Sequence, residues 1–173
     1  MNRFALIVVI GAAVAGCGGR GTEVARTPPP DCVPQRDNLI VPGCRIGPIA
    51  IGMTNEDLLR TLGPPRLSRD QGKFVSNQYD SLKITAMVEG GRVGWLFTTD
   101  PRYHTAAGVR VGSSIMEATV SLGEPAWKRT NPHSGDAGYV NNCFSAGVTM
   151  STGAAWASDA GRIRDIWVVK GCR

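Results

Sequence analysis

A chain of 173 residues is long enough for one domain or two small ones and too short for a large multidomain enzyme. Its 42% hydrophobic and 19% charged residues exclude both a disordered polar chain and a multi-span membrane protein. The 19 basic and 14 acidic residues give a net charge of +5, but neither sign forms a run, so nucleic acid is not an expected partner.

The N-terminal segment has the organisation of an export signal. Arg3 supplies a positive charge, and residues 4–16 form an apolar run that is too short to span a bilayer, which takes about 20 helical residues. The run ends in the small residues VAG directly before Cys17. This arrangement resembles the signal of bacterial lipoproteins, in which such a cysteine is acylated and becomes the new N-terminus. An ordinary secretory signal with an incidental cysteine is the alternative.

The lipoprotein resemblance implies a lipid, palmitate included, on Cys17 and removal of the signal peptide, residues 1–16. It also implies a lipid-anchored place in the cell envelope. Because Gly18 and not Asp follows the cysteine, the retention rule of enteric lipoproteins gives no reason to keep the protein at the inner membrane. We therefore expect the periplasmic face of the outer membrane. Several acyl chains on one cysteine would make that attachment stable.

The remaining cysteines number four, and an even number in an exported protein indicates two disulfide bonds. Three pairings are possible, and proximity in sequence favours one of them: Cys32 with Cys44 and Cys143 with Cys172. A zinc site is the competing interpretation. It is disfavoured because the chain has no CxxC spacing and its two histidines lie far from the cysteines in sequence.

The organisation of the rest of the chain is a tether followed by a duplication. Residues 17–44 are rich in Pro and Gly and have little hydrophobic periodicity, which indicates a flexible tether. Residues 49–65 (IAIGMTNEDLLRTLGPP) then recur in related form as residues 109–125 (VRVGSSIMEATVSLGEP). The shared positions are glycines, a leucine and a proline that set local structure. We therefore expect a first module over 45–104 and a second over 105–173.

Each copy of this motif predicts one short helix. Thr54 and Ser114 are favourable N-cap residues, and an acidic residue three positions later completes a capping box in both copies. Leucines or alanine spaced four apart form one apolar face. Gly63 and Gly123 end the helices, because glycine tolerates the positive φ of that position and a proline follows two residues later.

Strands are predicted after each helix. In the first copy, residues 82–89 and 93–99 flank a Gly-Gly pair, which is a strong hairpin signal. In the second copy, residues 147–157 and 163–170 flank the sequence DAG. A Gly-Arg-Val sequence before the last strand of the first copy matches Gly-Arg-Ile in the second, so the duplication extends to the sheet.

The first motif, GMTxxxxLxxLGxP at 52–65, resembles the helix motif of the SmpA/OmlA (BamE) outer-membrane lipoproteins. It is also similar to the tandem units of the secreted β-lactamase inhibitor protein, which grips its target with a concave sheet surface. The resemblance implies an α+β fold of two tandem modules, each with a short helical segment packed on a three- or four-stranded antiparallel sheet. No target-contacting residue transfers, because the hairpin loops differ in length and content.

Catalytic chemistry is poorly supported by the sequence. The residue types of a hydrolase occur together as HSGD at 133–136, but in a sequence typical of a turn. A nucleophilic Cys143 would need a free thiol, which the favoured pairing removes. The chain contains no GxSxG, P-loop, HExxH or dinucleotide motif. We therefore predict no catalytic residue, no metal ligand, no cofactor and no enzymatic activity.

Aromatic residues in the last strand of each copy supply the candidate binding face. If Leu96 and Ile166 face the helices, strict alternation places another set of side chains on the opposite side of the sheet. That set is Val93, Trp95 and Phe97 in the first copy and Ile163, Asp165 and Trp167 in the second. An aromatic stripe on an open sheet face is typical of an interface. The alternatives are that the faces are reversed or that the two sheets cover each other.

These observations predict a non-enzymatic periplasmic lipoprotein that binds a protein or assists envelope assembly. Its membrane contact would be the N-terminal lipid, and its partner another envelope protein. An inhibitor of a periplasmic or secreted hydrolase, such as a β-lactamase, is the alternative function. A small envelope hydrolase using His133 or a free Cys143 is the least supported interpretation.

Overall fold

The structure is a computed structural model that describes residues 32–130, 134–139, 144–149 and 161–170. In these ranges the chain forms two helices, α1 Asn55–Leu62 and α2 Ile115–Leu122. The strands, in chain order, are β1 Leu39–Val41, β2 Arg45–Ile46, β3 Ile49–Ala50, β4 Leu67–Asp70, β5 Val75–Tyr79, β6 Ile84–Glu89, β7 Arg92–Thr98, β8 His104–Thr105, β9 Trp127–Thr130, β10 Ser134–Tyr139, β11 Phe144–Thr149 and β12 Arg162–Val169.

One antiparallel sheet of eight strands dominates the fold, in the order β4-β5-β6-β7-β12-β11-β10-β9. Each copy of the duplicated sequence contributes four consecutive strands, and the two sets meet where β7 pairs with β12 through Phe97 and Trp167. The expected fold class was therefore wrong. The chain is mostly β, and its helices do not lie on separate small sheets.

The reason for this difference is the exposed edge that two separate modules would leave. In isolation, β7 and β12 would each end a sheet and present unpaired N–H and C=O groups. Pairing the two strands satisfies both edges at once. The pairs Ile166–Thr98 and Val168–Leu96 flank the central pair and continue the hydrophobic core across the junction.

Both helices belong to a single hydrophobic core on one face of the large sheet. Leu58 of α1 and Ala118 of α2 are buried in the same cluster as the core-facing residues of the sheet. Leu62 and Leu122 pack against that cluster, as the four-residue spacing predicts. The opposite face of the sheet carries half-buried aromatic side chains and neither helix.

The predicted helix caps are confirmed in both copies. Thr54 and Ser114 each accept a hydrogen bond from the backbone N–H three residues later, and the carboxylate at that position accepts one from the backbone N–H of the cap residue. Gly63 and Gly123, which follow the last helical residues, have φ of 77° and 86°. The sequence motif therefore fixed where each helix begins and ends.

A hydrogen-bonded clamp joins the start of each helix to the last strand of its own copy. The Gly52 N–H donates to the Val93 carbonyl at 2.8 Å, and the Gly112 N–H donates to the Ile163 carbonyl at 2.8 Å. Arg92 completes the first clamp by donating to the Gly52 carbonyl at 3.0 Å, and an arginine does the same in the second. This repetition shows that the duplication extends from the helix motif to the last strand.

A small four-stranded sheet, in the order β3-β2-β1-β8, packs against the same core. The predicted disulfide between Cys32 and Cys44 is present and closes a 12-residue separation beside it. Within this sheet the buried guanidinium of Arg45 donates to both carboxylate oxygens of Asp37, at 2.7 and 2.9 Å. These hydrogen bonds hold the pKa of Asp37 below its usual value. Strand β1 lies within residues 17–44, whose role as a tether stays a prediction.

In the part of the chain that the structure describes, neither helix has the length and apolar character needed to cross a bilayer. The predicted lipid site Cys17 and the apolar run before it lie outside the described residues. Cys143 and Cys172 also lie outside them, so their pairing stays a prediction.

Candidate functional site

The open face of the large sheet carries one row of side chains that crosses all eight strands. Register pairs connect its members from edge to edge as Leu67, Gln78, Thr85, Phe97, Trp167, Ser145, Gly138 and Trp127. Aromatic residues occupy the centre, where the rings of Phe97 and Trp167 are 4.6 Å apart between centroids. Such tilted ring pairs contribute stability beyond their buried area.

Beside this row lies an open groove of about 510 Å³. All three tryptophans in the described ranges line it, namely Trp95, Trp127 and Trp167. The remaining lining residues are Phe74, Met87, Asp136, Ser145, Arg164 and Asp165. We refer to this site as the tryptophan groove. Its volume lies within the range of small-molecule and side-chain binding sites, which are mostly apolar and have a few polar groups.

Two β-bulges determine which side chains reach the groove. The register skips Gly94 between the pairs Met87–Trp95 and Val88–Val93, and it skips Arg164 in the equivalent place of the second copy. An extra residue reverses the inward and outward alternation beyond it. Trp95 therefore lies on the open face while Val93 lies in the core, 1% exposed.

Most of the predicted binding face is thus brought together, with one exception in each copy. Trp95, Phe97 and Trp167 are half-buried on the open face. Asp165 lines the groove but is 5% exposed. We expected Val93 and, in the second copy, Ile163 on this face, and the structure places both in the core, because strict alternation does not hold across a bulge.

Asp165 fixes the orientation of Trp167. The indole Nε1–H of Trp167 donates to one oxygen of Asp165 at 3.0 Å. The other oxygen accepts a hydrogen bond from Arg164 Nε at 2.6 Å, so the buried carboxylate is both hydrogen-bonded and charge-paired. A tryptophan held in this way is pre-oriented for contact with a ligand, which reduces the entropy lost on binding.

Asp136 is the second carboxylate in the lining of the groove. Its register neighbour on β9 is Arg129, whose guanidinium lies 5.9 Å from the centroid of the Trp127 ring. In the described part of the chain, the side chain of Asp136 forms no ion pair within 4 Å and no hydrogen bond. Its half-buried carboxylate lines the groove next to this arginine, which carries the opposite charge.

The two halves of the sheet differ in chemistry at the groove. Several core positions keep similar residues, as the pairs Ala86–Ala146 and Leu96–Ile166 show. On the open face three equivalent positions differ in chemical type: Ser76 corresponds to Asp136, Met87 to Gly147 and Trp95 to Asp165. The second half therefore has two carboxylates and a glycine where the first half has a serine, a methionine and a tryptophan. The two sides of the groove therefore differ in chemistry, although the backbone of the two halves is duplicated.

Sequence reasoning missed several residues that line the groove, chiefly Trp127, Asp136 and Arg164. The HSGD sequence that contains Asp136 was interpreted as a turn, but residues 134–136 form the start of β10. The duplicated motif repeats after sixty residues, so Trp127 corresponds to Leu67 of β4. This correspondence would have placed Trp127 on the equivalent strand of the second copy. Arg164 could not be found in this way, since its exposure depends on the bulge.

A second cavity, of about 380 Å³, lies on the other side of the sheet beside α1. It is lined in part by Arg36, Tyr79, Arg102 and Tyr103. Burial raises the pKa of both tyrosines. The hydroxyl of Tyr79 is buried and has no hydrogen-bond partner in the described part of the chain. Of the charged residues that line this cavity, Arg102 is paired with Asp100 and Asp37 is paired with Arg45.

The described residues contain no group of three or more His, Cys, Asp or Glu side chains placed to hold a metal ion. His133, the histidine of the HSGD sequence, lies outside the described ranges. Asp136 of that sequence lines the groove and is described above.

No protein-family model matches the chain, and no curated protein matches it. Among solved structures it is similar to an extracellular protein containing a SCP domain from Bacillus anthracis, at 8% identity and a TM-score of 0.47 over 69% of this chain and 44% of that one. The chain thus spans less than half the length of that protein. The chain is also similar to the uncharacterized protein YfeY from Escherichia coli, at 11% identity and a TM-score of 0.47 over 79% of this chain and 97% of that one.

A DUF4309 family protein (YjgB) from Bacillus subtilis is similar at 13% identity and a TM-score of 0.40, over 68% of this chain and 78% of that one. None of these three is named as a SmpA/OmlA lipoprotein or as a β-lactamase inhibitor protein, so that resemblance stays a prediction. At these scores the similar structures assign neither a family nor a function to this chain.

Proposed function

We propose that this protein is a non-enzymatic, lipid-anchored envelope protein that binds a protein partner through the open face of its eight-stranded sheet. The observation that carries the proposal is the concentration of three tryptophans in one groove on the face without helices. Tryptophan is enriched at the centres of protein interfaces, where its large rigid surface contributes much of the binding energy. Half-buried aromatic residues on a solvent-facing sheet cost solubility unless a partner covers them.

The lipid anchor forms a separate part of the proposal. It rests on the apolar run and the small residues before Cys17. Acylation at this position would hold the globular part near a membrane surface and restrict its partners to envelope proteins. Metabolic labelling with a radioactive fatty acid tests this part, with Cys17→Ser as the control that abolishes the label. Incorporation that survives the substitution would contradict it.

The binding proposal is tested by affinity capture from an envelope extract with a double variant, Trp95→Ala with Trp167→Ala. We expect loss of the captured protein and retention of the cooperative thermal transition, because both side chains are half-buried on the open face. The matched control is Met116→Ala with Val120→Ala, two exposed hydrophobic residues of α2, 51% and 82% exposed, on the opposite side of the sheet.

The outcome of the capture separates the proposed activity from its alternatives. A partner lost only in the tryptophan variant supports binding through the open face. A partner lost in the helix variant instead would move the interface to α2 and overturn the proposal. If the captured protein is a hydrolase and its activity falls on binding, the result would support the alternative function, an inhibitor of that hydrolase.

A further inference from the structure

The cavity beside α1 has both apolar and polar walls. Leu62 of α1 and Leu82, which lies before β6, line it and pack against the hydrophobic core. The rings of Tyr79 and Tyr103 are buried beside them, and most of the remaining lining is polar. A volume of about 380 Å³ lies within the range of small-molecule sites. This composition suits a small molecule with an apolar body and a polar end.

The charges of the lining leave one arginine uncompensated. The charged residues that line the cavity are Arg36, Asp37 and Arg102. Asp37 is paired with Arg45 at 2.7 Å, and Arg102 is paired with Asp100 at 2.9 Å. In the described part of the chain, the side chain of Arg36 forms no ion pair within 4 Å and no hydrogen bond. Counted together, these three arginines and two aspartates leave one positive charge, on Arg36.

Neighbouring groups do not cancel this charge. Asp80, in the turn between β5 and β6, is paired with Arg66. Lys83 of the same turn is a further cation. The C-terminal end of α1, which borders the cavity, contributes a partial negative charge of about half an elementary charge, and this is smaller than the full charge of Arg36. The charges around the cavity therefore favour an anion.

The backbone is held in place on both sides of Arg36. The Gln35 N–H donates a hydrogen bond to the Gly47 carbonyl at 3.3 Å. On the other side, the carboxylate of Asp37 accepts hydrogen bonds from the Arg45 guanidinium at 2.7 and 2.9 Å. The disulfide described above encloses this whole segment. A ligand therefore need not order the segment, which reduces the entropy lost on binding.

We propose that the cavity beside α1 binds a small organic anion, a carboxylate with a short apolar chain. The planar guanidinium of Arg36 would pair with the carboxylate, because its parallel N–H groups match the two carboxylate oxygens. The apolar chain would contact Leu62 and Leu82. One uncompensated arginine in the lining matches a singly charged carboxylate better than a phosphate monoester, which carries close to two negative charges at neutral pH. The cavity and the tryptophan groove lie on opposite sides of the sheet, so this proposal goes beyond the proposed function and does not rest on it.

The test is a titration with hexanoate, followed by nuclear magnetic resonance of the backbone amides. The comparison compounds carry the same chain with an uncharged or a positive end, 1-hexanol and hexylammonium. We expect saturable shifts at residues 36–38, 62 and 82 with hexanoate and weaker binding of both comparison compounds. Arg36→Gln should weaken hexanoate binding by up to about fivefold, as for a partly exposed ion pair.

The matched control is Arg69→Gln, which removes an exposed arginine of β4 that does not line the cavity. It should leave the affinity for hexanoate unchanged. A second variant, Thr61→Phe, adds a ring at an exposed position of α1 in the lining and should abolish the hexanoate shifts while the cooperative thermal transition is retained.

Three results would each overturn the carboxylate proposal. They are equal binding of 1-hexanol, equal effects of the two arginine variants, and hexanoate shifts confined to the tryptophan groove. Capture of a protein partner through the open face is measured separately and depends on Trp95 and Trp167. Failure of this inference therefore leaves the proposed function standing, and failure of the capture leaves this inference standing.

Discussion

Leu96 offers a direct test of whether the two halves of the sheet unfold as one unit. It is fully buried on β7 and pairs with Ala86 of β6 and Val168 of β12, so it spans the junction between the two copies. Replacing Leu96 by Ala removes three carbons from this position and leaves a cavity, at a cost of about 3 kcal/mol in the free energy of unfolding. For a protein of this size we expect a loss of about 9 °C in Tm.

The assay is thermal unfolding followed by far-ultraviolet circular dichroism and by tryptophan fluorescence. We expect one transition with coincident midpoints, because a continuous sheet transmits the loss of packing to both halves. Exchange of the backbone amide hydrogens should be faster in the variant than in the parent protein, in both β5 and β10. The control Leu59→Ala lies on the exposed side of α1, 51% exposed, and should change the free energy by less than about 0.5 kcal/mol. Two separated transitions, with β10 keeping its protection, would refute the single-unit interpretation.

Three further predictions concern local features. Asp37→Asn should destabilise the protein by about 2 kcal/mol at neutral pH, because the buried Arg45 loses its charged acceptor. Since the native pKa of Asp37 is lowered, its stabilisation is present above the ordinary carboxyl pKa of about 4 and is lost as the pH falls through the lower native value. Acid unfolding should therefore cost the parent more stability than the variant, and equal pH profiles would contradict this. Ser114→Ala should cost about 1 kcal/mol in chemical denaturation by removing the α2 cap, and no change would show that the capping box is dispensable. Replacing Cys32 and Cys44 together by Ser should cost about 3 kcal/mol, with a thiol titration of the unreduced parent as the check that the bond is formed.

The local elements could be predicted from the sequence because each depends on neighbours in the chain. Thr54 and the acid three residues later define a capping box, and Gly63 ends the helix, whatever surrounds them. The hairpin of β6 and β7 follows from the Gly-Gly pair at its turn. The disulfide between Cys32 and Cys44 was favoured because these cysteines are close in sequence.

The candidate site was predicted in part, for a reason that lies in register. Trp95, Phe97 and Trp167 follow from alternation near the middle of their strands, where pairing is regular. The position of Val93 does not follow from alternation, because the bulge at Gly94 places its side chain on the other face of the sheet. Asp136 was assigned to a turn because its local residues favour turns, whereas pairing with β9 and β11 makes it part of a strand.

The sequence by itself determined the duplication, the two capped helices and the identity of the aromatic residues, since these are properties of short segments and their spacing. Only the tertiary structure decided that the copies share one sheet, because unpaired edge strands gain hydrogen bonds from each other across a distance that no local pattern encodes. It also decided where the groove lies. Three tryptophans from β7, β9 and β12 converge there through strand order and two bulges, which depend on partners distant in the chain.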